Sequence, residues 1–249
     1  MKILVNTVLS VSFLLTGLVM MGSVDDTAVS AGTDQSLYLP LIIRQTNEPM
    51  PFGDMHTGEG TYYIATGAGN CSFDPSPENL MVAALNHVDY ADSALCGAFI
   101  RVTGPQGSVD VRIVDQCPGC LEGDVDLSQE AFAEIAELSA GRVDISWQLL
   151  SMPLDGPIVY HFKDGSNQWW TAVQIRNHRN PIAKVEYWNG SNYVEVPRLS
   201  YNYFVEASGM GPGPYTFRVT DTLGNVLVDS NIPHIEDGDV SGSGQFPAP

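Results

Sequence analysis

Residues 114–128 read VDQCPGCLEGDVDLS, a stretch with two cysteines and four carboxylates. Asp115 follows the apolar strand predicted at 109–114, so its carboxylate lies at the edge of a sheet. Asp126 stands just before Ser128, which can cap the start of a helix. Paired carboxylates are what glycoside hydrolysis requires, although acidic loops are also commonly just solvated. The stretch therefore predicts a strand, a polar loop that could carry chemistry, and a helix start.

Short strands separated by turns extend on both sides of this stretch. Residues 98–102 and 109–114 alternate in hydropathy around a Gly-Pro-Gln-Gly turn, which predicts a hairpin. Another strand is predicted at 143–149. Six more are predicted at 158–163, 169–177, 182–188, 193–197, 215–220 and 226–229. With 24 glycines and 16 prolines, the pattern predicts a mainly β protein whose second half is a small antiparallel sandwich.

The 249 residues divide into five predicted segments. Residues 1–31 contain a short apolar run and small residues suited to cleavage, which predicts a secretory signal and an extracellular protein. Residues 32–53 are a linker or extension. A proline- and glycine-rich connection near residue 152 separates a first domain, 54–151, from a second, 152–235. Residues 236–249 are predicted to be a flexible acidic tail.

The formal charge of −18 is concentrated in the first domain. Residues 54–151 hold 15 acidic and 3 basic side chains, whereas residues 152–235 hold 7 and 6. No basic patch exists for nucleic acid or for an anionic membrane. A polyanionic polysaccharide would be repelled by the first domain, whereas a neutral polymer would not.

All four cysteines, Cys71, Cys96, Cys117 and Cys120, lie in the first domain. An even number in an exported chain points to two disulfides. Three pairings are possible, and we favour Cys71–Cys96 with Cys117–Cys120. A zinc site is the competing interpretation, but only half of a ligand set is present, so we expect no metal and no cofactor.

Two adjacent tryptophans, Trp169 and Trp170, precede alternating residues of the second domain. Strict alternation sends Trp169 inward with Val173 and Ile175, and Trp170 outward. An outward Trp on a sheet is a flat apolar surface of the kind that stacks on sugar rings.

Four separated motifs resemble those of the microbial expansins. They are Gly60-Thr61-Tyr62-Tyr63, Val114-Asp115-Gln116-Cys117-Pro118, Asp124-Val125-Asp126-Leu127-Ser128, and the block from Lys163 through Trp169-Trp170 to Tyr187. The resemblance spans about residues 57–235, and the terminal Gln245-Phe246-Pro247 is also similar. It implies a six-stranded double-psi β-barrel followed by an immunoglobulin-like β-sandwich that acts as a carbohydrate-binding module.

The resemblance also implies roles for particular residues of the first domain. Thr61 and Asp115 match polar groups that line a groove, and Asp126 matches the carboxylate of a hydrolase general acid. Cys117 stands where bacterial members often have a groove tyrosine, which removes one stacking partner. Such grooves lack the matching base, and Glu122 or Asp124 could supply one only if their loop folded over the groove.

In the second domain, Lys163, Trp169, Trp170 and Tyr201 match a flat polysaccharide-binding strip. An exposed Trp169 conflicts with strict alternation, unless a bulge or a loop end lies near Asn167 and Gln168. We follow the resemblance.

These expectations describe a secreted, monomeric, non-hydrolytic protein that loosens plant cell walls. Its partners would be cellulose and related β-glucans, with xyloglucan and peptidoglycan as further candidates, and neither nucleic acid nor membrane. Two alternatives remain open: an endoglucanase or peptidoglycan lytic transglycosylase, and a barwin-like carbohydrate-binding protein without loosening activity.

Overall fold

The computed structural model describes residues 48–249. The predicted signal segment, 1–31, lies outside the described residues, as does most of the predicted extension. Within the described part of the chain, no helix is both long enough and apolar enough to cross a membrane.

The first domain is a closed barrel of six strands. In chain order they are β1 (Met50–Tyr63), β2 (Val82–Asn86), β3 (Phe99–Gly104), β4 (Gly107–Cys117), β5 (Val125–Ser128) and β6 (Val143–Ser151). Around the barrel the order is β1-β5-β2-β4-β3-β6, with β1 parallel to β5 and β2 parallel to β4. This is the six-stranded barrel that the resemblance implies. Its first strand begins at Met50, so the predicted boundary at residue 54 falls inside a barrel strand.

The predicted hairpin is confirmed, because β3 and β4 pair antiparallel from Phe99–Arg112 to Gly104–Gly107. Two short helices accompany the barrel, α1 (His87–Tyr90) and α2 (Gln129–Ala133). The Ser128 hydroxyl caps α2 by accepting the Ala131 N–H at 3.0 Å. The predicted helix is shorter than its pattern suggested, since a turn follows Ala133 and a single 3₁₀ turn precedes Gly141.

Two disulfides close the barrel domain, Cys71–Cys96 and Cys117–Cys120, which is the favoured pairing. Cys71 and Cys96 are buried in the apolar core, where Trp147 and Phe132 are also fully buried. Cys117 ends β4, so its disulfide closes the loop that leads from the polar end of that strand.

The second domain is a sandwich of two four-stranded sheets. Its strands are β7 (Val159–Phe162), β8 (Thr171–Arg176), β9 (Ile182–Trp188), β10 (Tyr193–Glu195), β11 (Phe204–Glu206), β12 (Tyr215–Asp221), β13 (Val226–Ile232) and β14 (Gly238–Ser241). One sheet has the order β10-β9-β12-β13 and the other β11-β8-β7-β14. Phe162, Val173 and Phe217 are buried in the core between them.

The prediction of a flexible tail at 236–249 is wrong. Residues 238–241 form β14, which pairs antiparallel with β7. The Phe246 side chain is 1% exposed and belongs to the sandwich core. The composition of this segment, acidic and rich in small residues, did not reveal that four of its residues form a strand and that Phe246 is buried. Strand pairing and the burial of Phe246 stabilise the segment on the sandwich.

Candidate functional site

Four barrel residues lie in one row across neighbouring strands. Thr61 on β1 is opposite Asp126 on β5, which is opposite Ala84 on β2, which is opposite Asp115 on β4. Residues that oppose each other on paired strands share a face. The strand spacing puts the Cα atoms of Asp126 and Asp115 roughly 10 Å apart, with only a methyl group between them. We call this row the groove.

Asp126 is the most perturbed carboxyl group of the groove. Its side chain is partly buried, and the Thr61 hydroxyl donates a hydrogen bond to its Oδ1 at 2.6 Å. Burial raises the pKa of Asp126 above its ordinary value; the Thr61 bond opposes this shift and the charge of Asp115 adds to it. The groove therefore holds a carboxyl group that keeps its proton to a higher pH than a solvated one.

Asp115 is held by the backbone. Its Oδ1 accepts the N–H groups of Asn70 at 2.7 Å and Gln116 at 2.8 Å. A Cβ on Gly69 would lie 2.4 Å from the Asp115 carboxyl carbon, so only glycine allows this close approach. Three residues from the loop and from β4 thus fix the direction of this carboxylate.

Tyr63 lies beside the groove, and the sequence reasoning did not assign it a role. It lies two positions after Thr61 on β1, and its hydroxyl is buried without a hydrogen-bond partner in residues 48–249. Burial, and then the charges of Asp115 and Asp126, raise the pKa of this hydroxyl. The period of two that places Tyr63 on the face of Thr61 is the signal that could have identified it.

The other two carboxylates of the acidic stretch have different positions. Asp124 is buried, and its two oxygens accept the N–H groups of Glu59 at 2.8 Å and Leu121 at 3.0 Å. It therefore holds the loop against β1. Glu122 is exposed on that loop. Cys117 is bonded to Cys120.

An aromatic platform covers the outer face of the β11-β8-β7-β14 sheet. Trp170, Tyr201 and Tyr203 pack together there over Ala172. Trp169 is 73% exposed beside them. The Lys163 ammonium lies 5.7 Å from the Tyr203 ring centroid, within the range of a cation–π contact.

The orientation of Trp169 follows from where β8 begins. The strand starts at Thr171, after a tight turn in which the Asn167 side-chain oxygen accepts the N–H groups of Trp169 at 2.9 Å and Trp170 at 3.2 Å. Trp169 is thus a turn residue, and the strict-alternation prediction that it points inward is wrong. Val173 and Ile175 do point into the core, as that pattern predicts.

The platform and the groove meet at the contact between the domains. The Ser200 carbonyl, next to Tyr201, accepts bonds from the Asn70 amide at 3.1 Å and the Tyr90 hydroxyl at 2.9 Å. The backbone N–H of the same Asn70 donates to Asp115. One chain of hydrogen bonds, from Ser200 through Asn70 to Asp115, therefore links the aromatic face of the sandwich to the barrel groove. Within residues 48–249, no three His, Cys, Asp or Glu side chains cluster as a metal site.

Comparison with known proteins identifies relatives across both domains. A family model described as lytic transglycolase matches residues 81–147. Expansin YoaJ of Bacillus subtilis (strain 168) is 33% identical over 210 residues, which cover 79% of this chain and 88% of that protein. Expansin-like protein 1 of Dictyostelium discoideum is 29% identical over 216 residues, which cover 80% and 75%.

A solved structure agrees with these sequence matches. The crystal structure of a mutant Clavibacter michiganensis expansin in complex with cellohexaose superposes with a TM-score of 0.74 at 32% identity, covering 78% of this chain and 100% of that one. Both domains therefore have counterparts in one known protein. The chain belongs to the expansin family.

Proposed function

We propose that this chain is a secreted, non-hydrolytic protein that binds cellulose and related β-glucans and loosens the contacts between glucan chains. The observation that carries the proposal is the continuity of the aromatic platform with the groove through Ser200, Asn70 and Asp115. A single extended glucan could lie on both.

The platform would anchor the protein on the glucan. Sugar rings present apolar C–H faces that stack on exposed aromatic rings, and Trp169 is open to such contact. By analogy with base stacking, each ring contributes roughly 1–3 kcal/mol. The Clavibacter relative is described in complex with cellohexaose, which supports an extended glucan as the ligand.

The groove would grip the same extended glucan through hydrogen bonds. The carboxyl group of Asp126 lies in the row, and its oxygens can accept hydrogen bonds from sugar hydroxyl groups. Each bond formed contributes about 0.5–1.5 kcal/mol, comparable with a bond between glucan chains. Binding would then compete with chain-to-chain contacts, which lets the chains slide without cleavage.

Cleavage of a glycosidic bond is the second candidate function. It is favoured by the lytic transglycolase match and by Asp115, which shares the row with Asp126. Inverting hydrolases place their two carboxyl groups about 6.5–9.5 Å apart. Against this candidate, one oxygen of Asp115 already accepts two backbone N–H groups, so that oxygen is not open to a water molecule.

The proposal is tested on cellulose paper by measuring tensile weakening and released reducing sugar together. The wild-type protein should weaken the paper without releasing sugar above background, and Asp126→Asn should bind the paper but lose the weakening. Asp54→Asn is the matched control, since Asp54 is an exposed carboxylate on β1, the strand that pairs with the strand of Asp126, and it should behave as wild type.

Other outcomes would replace the proposal. Sugar release that disappears in Asp126→Asn would establish the hydrolase. Binding of wild-type protein with no weakening of the paper would establish the carbohydrate-binding protein without loosening activity.

A further inference from the structure

A second candidate site lies where the barrel meets the connection and the sandwich. It is a cavity of about 510 Å³ walled by the loop before β2, by β3 and β4, and by Met152, Leu154 and Asn177 from the connection and the sandwich. None of the residues of the groove or the platform lines it. Its volume is in the range of small-molecule sites, about 300–1,000 Å³.

Arg112 is the distinctive residue of this cavity. Of the three arginines of the acidic barrel, Arg101 pairs with Asp110 at 2.6 Å and Arg142 pairs with Glu59. The Arg112 guanidinium makes no hydrogen bond or ion pair with any residue in 48–249, although 15 carboxylates belong to this domain.

Neighbouring strands and an aromatic ring hold Arg112 in the wall of the cavity. On β4 it lies between Val82 of β2 and Phe99 of β3, and its guanidinium carbon is 4.8 Å from the Phe73 ring centroid. Burial lowers its pKa from the ordinary value, but a guanidinium stays charged at neutral pH. Burial lowers the pKa of His178, in the same wall, to about 4, so this imidazole is neutral there.

A partly buried guanidinium without an acceptor is unfavourable, and a carboxylate is the group that best satisfies its planar fork of donors. The rest of the wall suits a sugar ring. Phe99 and Met81 offer apolar surface, whereas Asn79 and Glu78 offer partners for hydroxyl groups. We propose that this cavity binds a hexuronate, with its carboxylate on Arg112.

The acidity of the barrel is compatible with such a ligand. A polyuronate brings many charges within reach of the whole domain, whereas a single uronate meets only its local surroundings. At physiological ionic strength, charges more than about 8 Å away are largely screened. Of the two carboxylates that line the cavity, Asp110 is already paired with Arg101, and Glu78 is exposed to solvent, which screens its charge.

The test is a titration of the full chain with D-glucuronate, D-glucose and acetate, followed by backbone amide NMR. Glucuronate should shift the amides of Val82, Phe99 and Arg112 in a saturable way. Glucose and acetate should each bind at least about tenfold more weakly, which is about 1.4 kcal/mol. This comparison needs no variant and is independent of folding defects.

Variants then locate the carboxylate. Arg112→Gln should weaken glucuronate binding about tenfold. The affinity of Arg112→Lys should lie between those of wild type and Arg112→Gln, because lysine keeps the positive charge but cannot bind a carboxylate through two parallel N–H groups. Arg142→Gln removes the same charge from the barrel surface and should bind as wild type. Equal binding by folded Arg112→Gln, equal shifts with glucose, or equal affinity for acetate would each overturn the proposal.

Discussion

At the scale of single residues, the protonation of Asp126 links the groove's chemistry to its stability. A carboxyl group whose pKa is raised by burial is one that the fold prefers to keep neutral. Between the ordinary and the raised pKa, the folded protein therefore holds more protons than the unfolded chain. The free energy of unfolding consequently falls as the pH rises through this range.

We expect Asp126→Asn to remove this dependence. The amide cannot ionise but can still accept the Thr61 bond, so the variant should gain stability relative to wild type as the pH rises from about 3 to about 8. Urea unfolding of both proteins across that range measures the difference. A constant difference, or one that shrinks with rising pH, would contradict the raised pKa.

The groove residues show how far sequence reasoning reaches at this scale. Motifs were enough to select Thr61, Asp115 and Asp126, but they could not place these residues in one row. That row depends on β5 lying between β1 and β2, with Thr61 and Asp126 far apart along the chain. Tyr63 was missed because its importance is an unpartnered hydroxyl, which only the folded surroundings reveal.

At the scale of elements, the turn before β8 determines what the platform presents. Hydropathy alternation correctly predicted the inward residues of β8. It nevertheless began the strand at residue 169, two residues before the observed start at Thr171. The Asn167 side chain competes with strand pairing by bonding to the N–H groups of both tryptophans. Gly209 lets a neighbouring loop approach this turn, because a Cβ there would lie 2.0 Å from the Gln168 carbonyl oxygen.

Asn167→Ala should therefore weaken cellulose binding, although it leaves every aromatic side chain of the platform in place. Loss of the two side-chain bonds frees the Trp169 indole, and we expect binding to fall about three- to tenfold in a pull-down assay, with about 1 kcal/mol lost in stability. Replacing both tryptophans by alanine should abolish binding.

Asn189→Ala is the matched control for the turn. Asn189 accepts two backbone N–H groups in the same manner, from Ser191 and Asn192, but it lies in the loop between β9 and β10 of the other sheet. It should lose similar stability and keep its binding. If both variants bind cellulose equally well, the turn does not orient the platform.

Prediction of strand pairing succeeded where a strand pairs with its sequence neighbour. The β3–β4 hairpin is local, so alternation and a turn were sufficient. β5 and β14 pair with strands distant in the chain, and each has only four residues. Short segments of this kind become strands because the rest of the fold presents neighbouring strands for them to pair with.

At the scale of the whole molecule, buried polar contacts fix the barrel against the sandwich. Gln174 is fully buried, and its amide donates to the Cys71 carbonyl at 2.9 Å. Asn202 donates to the same oxygen at 3.2 Å. Nearby, Arg176 pairs with Asp74 at 2.9 Å. Groove and platform can act on one chain only while these contacts hold their relative orientation.

Gln174→Leu should loosen this connection. It leaves the Cys71 carbonyl with fewer donors in a buried place, so we expect a loss of about 1–3 kcal/mol and separate unfolding transitions for the two domains in calorimetry. Gln148→Leu is the control, since Gln148 makes one comparable amide bond to the Gly53 carbonyl at an exposed position. A single transition in Gln174→Leu would show that this amide does not couple the domains.

The burial of Phe246 and the pairing of β14 also determine where the protein can be truncated without loss of its fold. Residues 236–249 are acidic and rich in small residues, so they look dispensable. A stop codon after residue 235 would nevertheless delete the edge strand β14 and remove the Phe246 side chain from the sandwich core. The bared margin of β7 would then recruit other copies during expression. Fusions made in this region should therefore leave residues 238–246 intact.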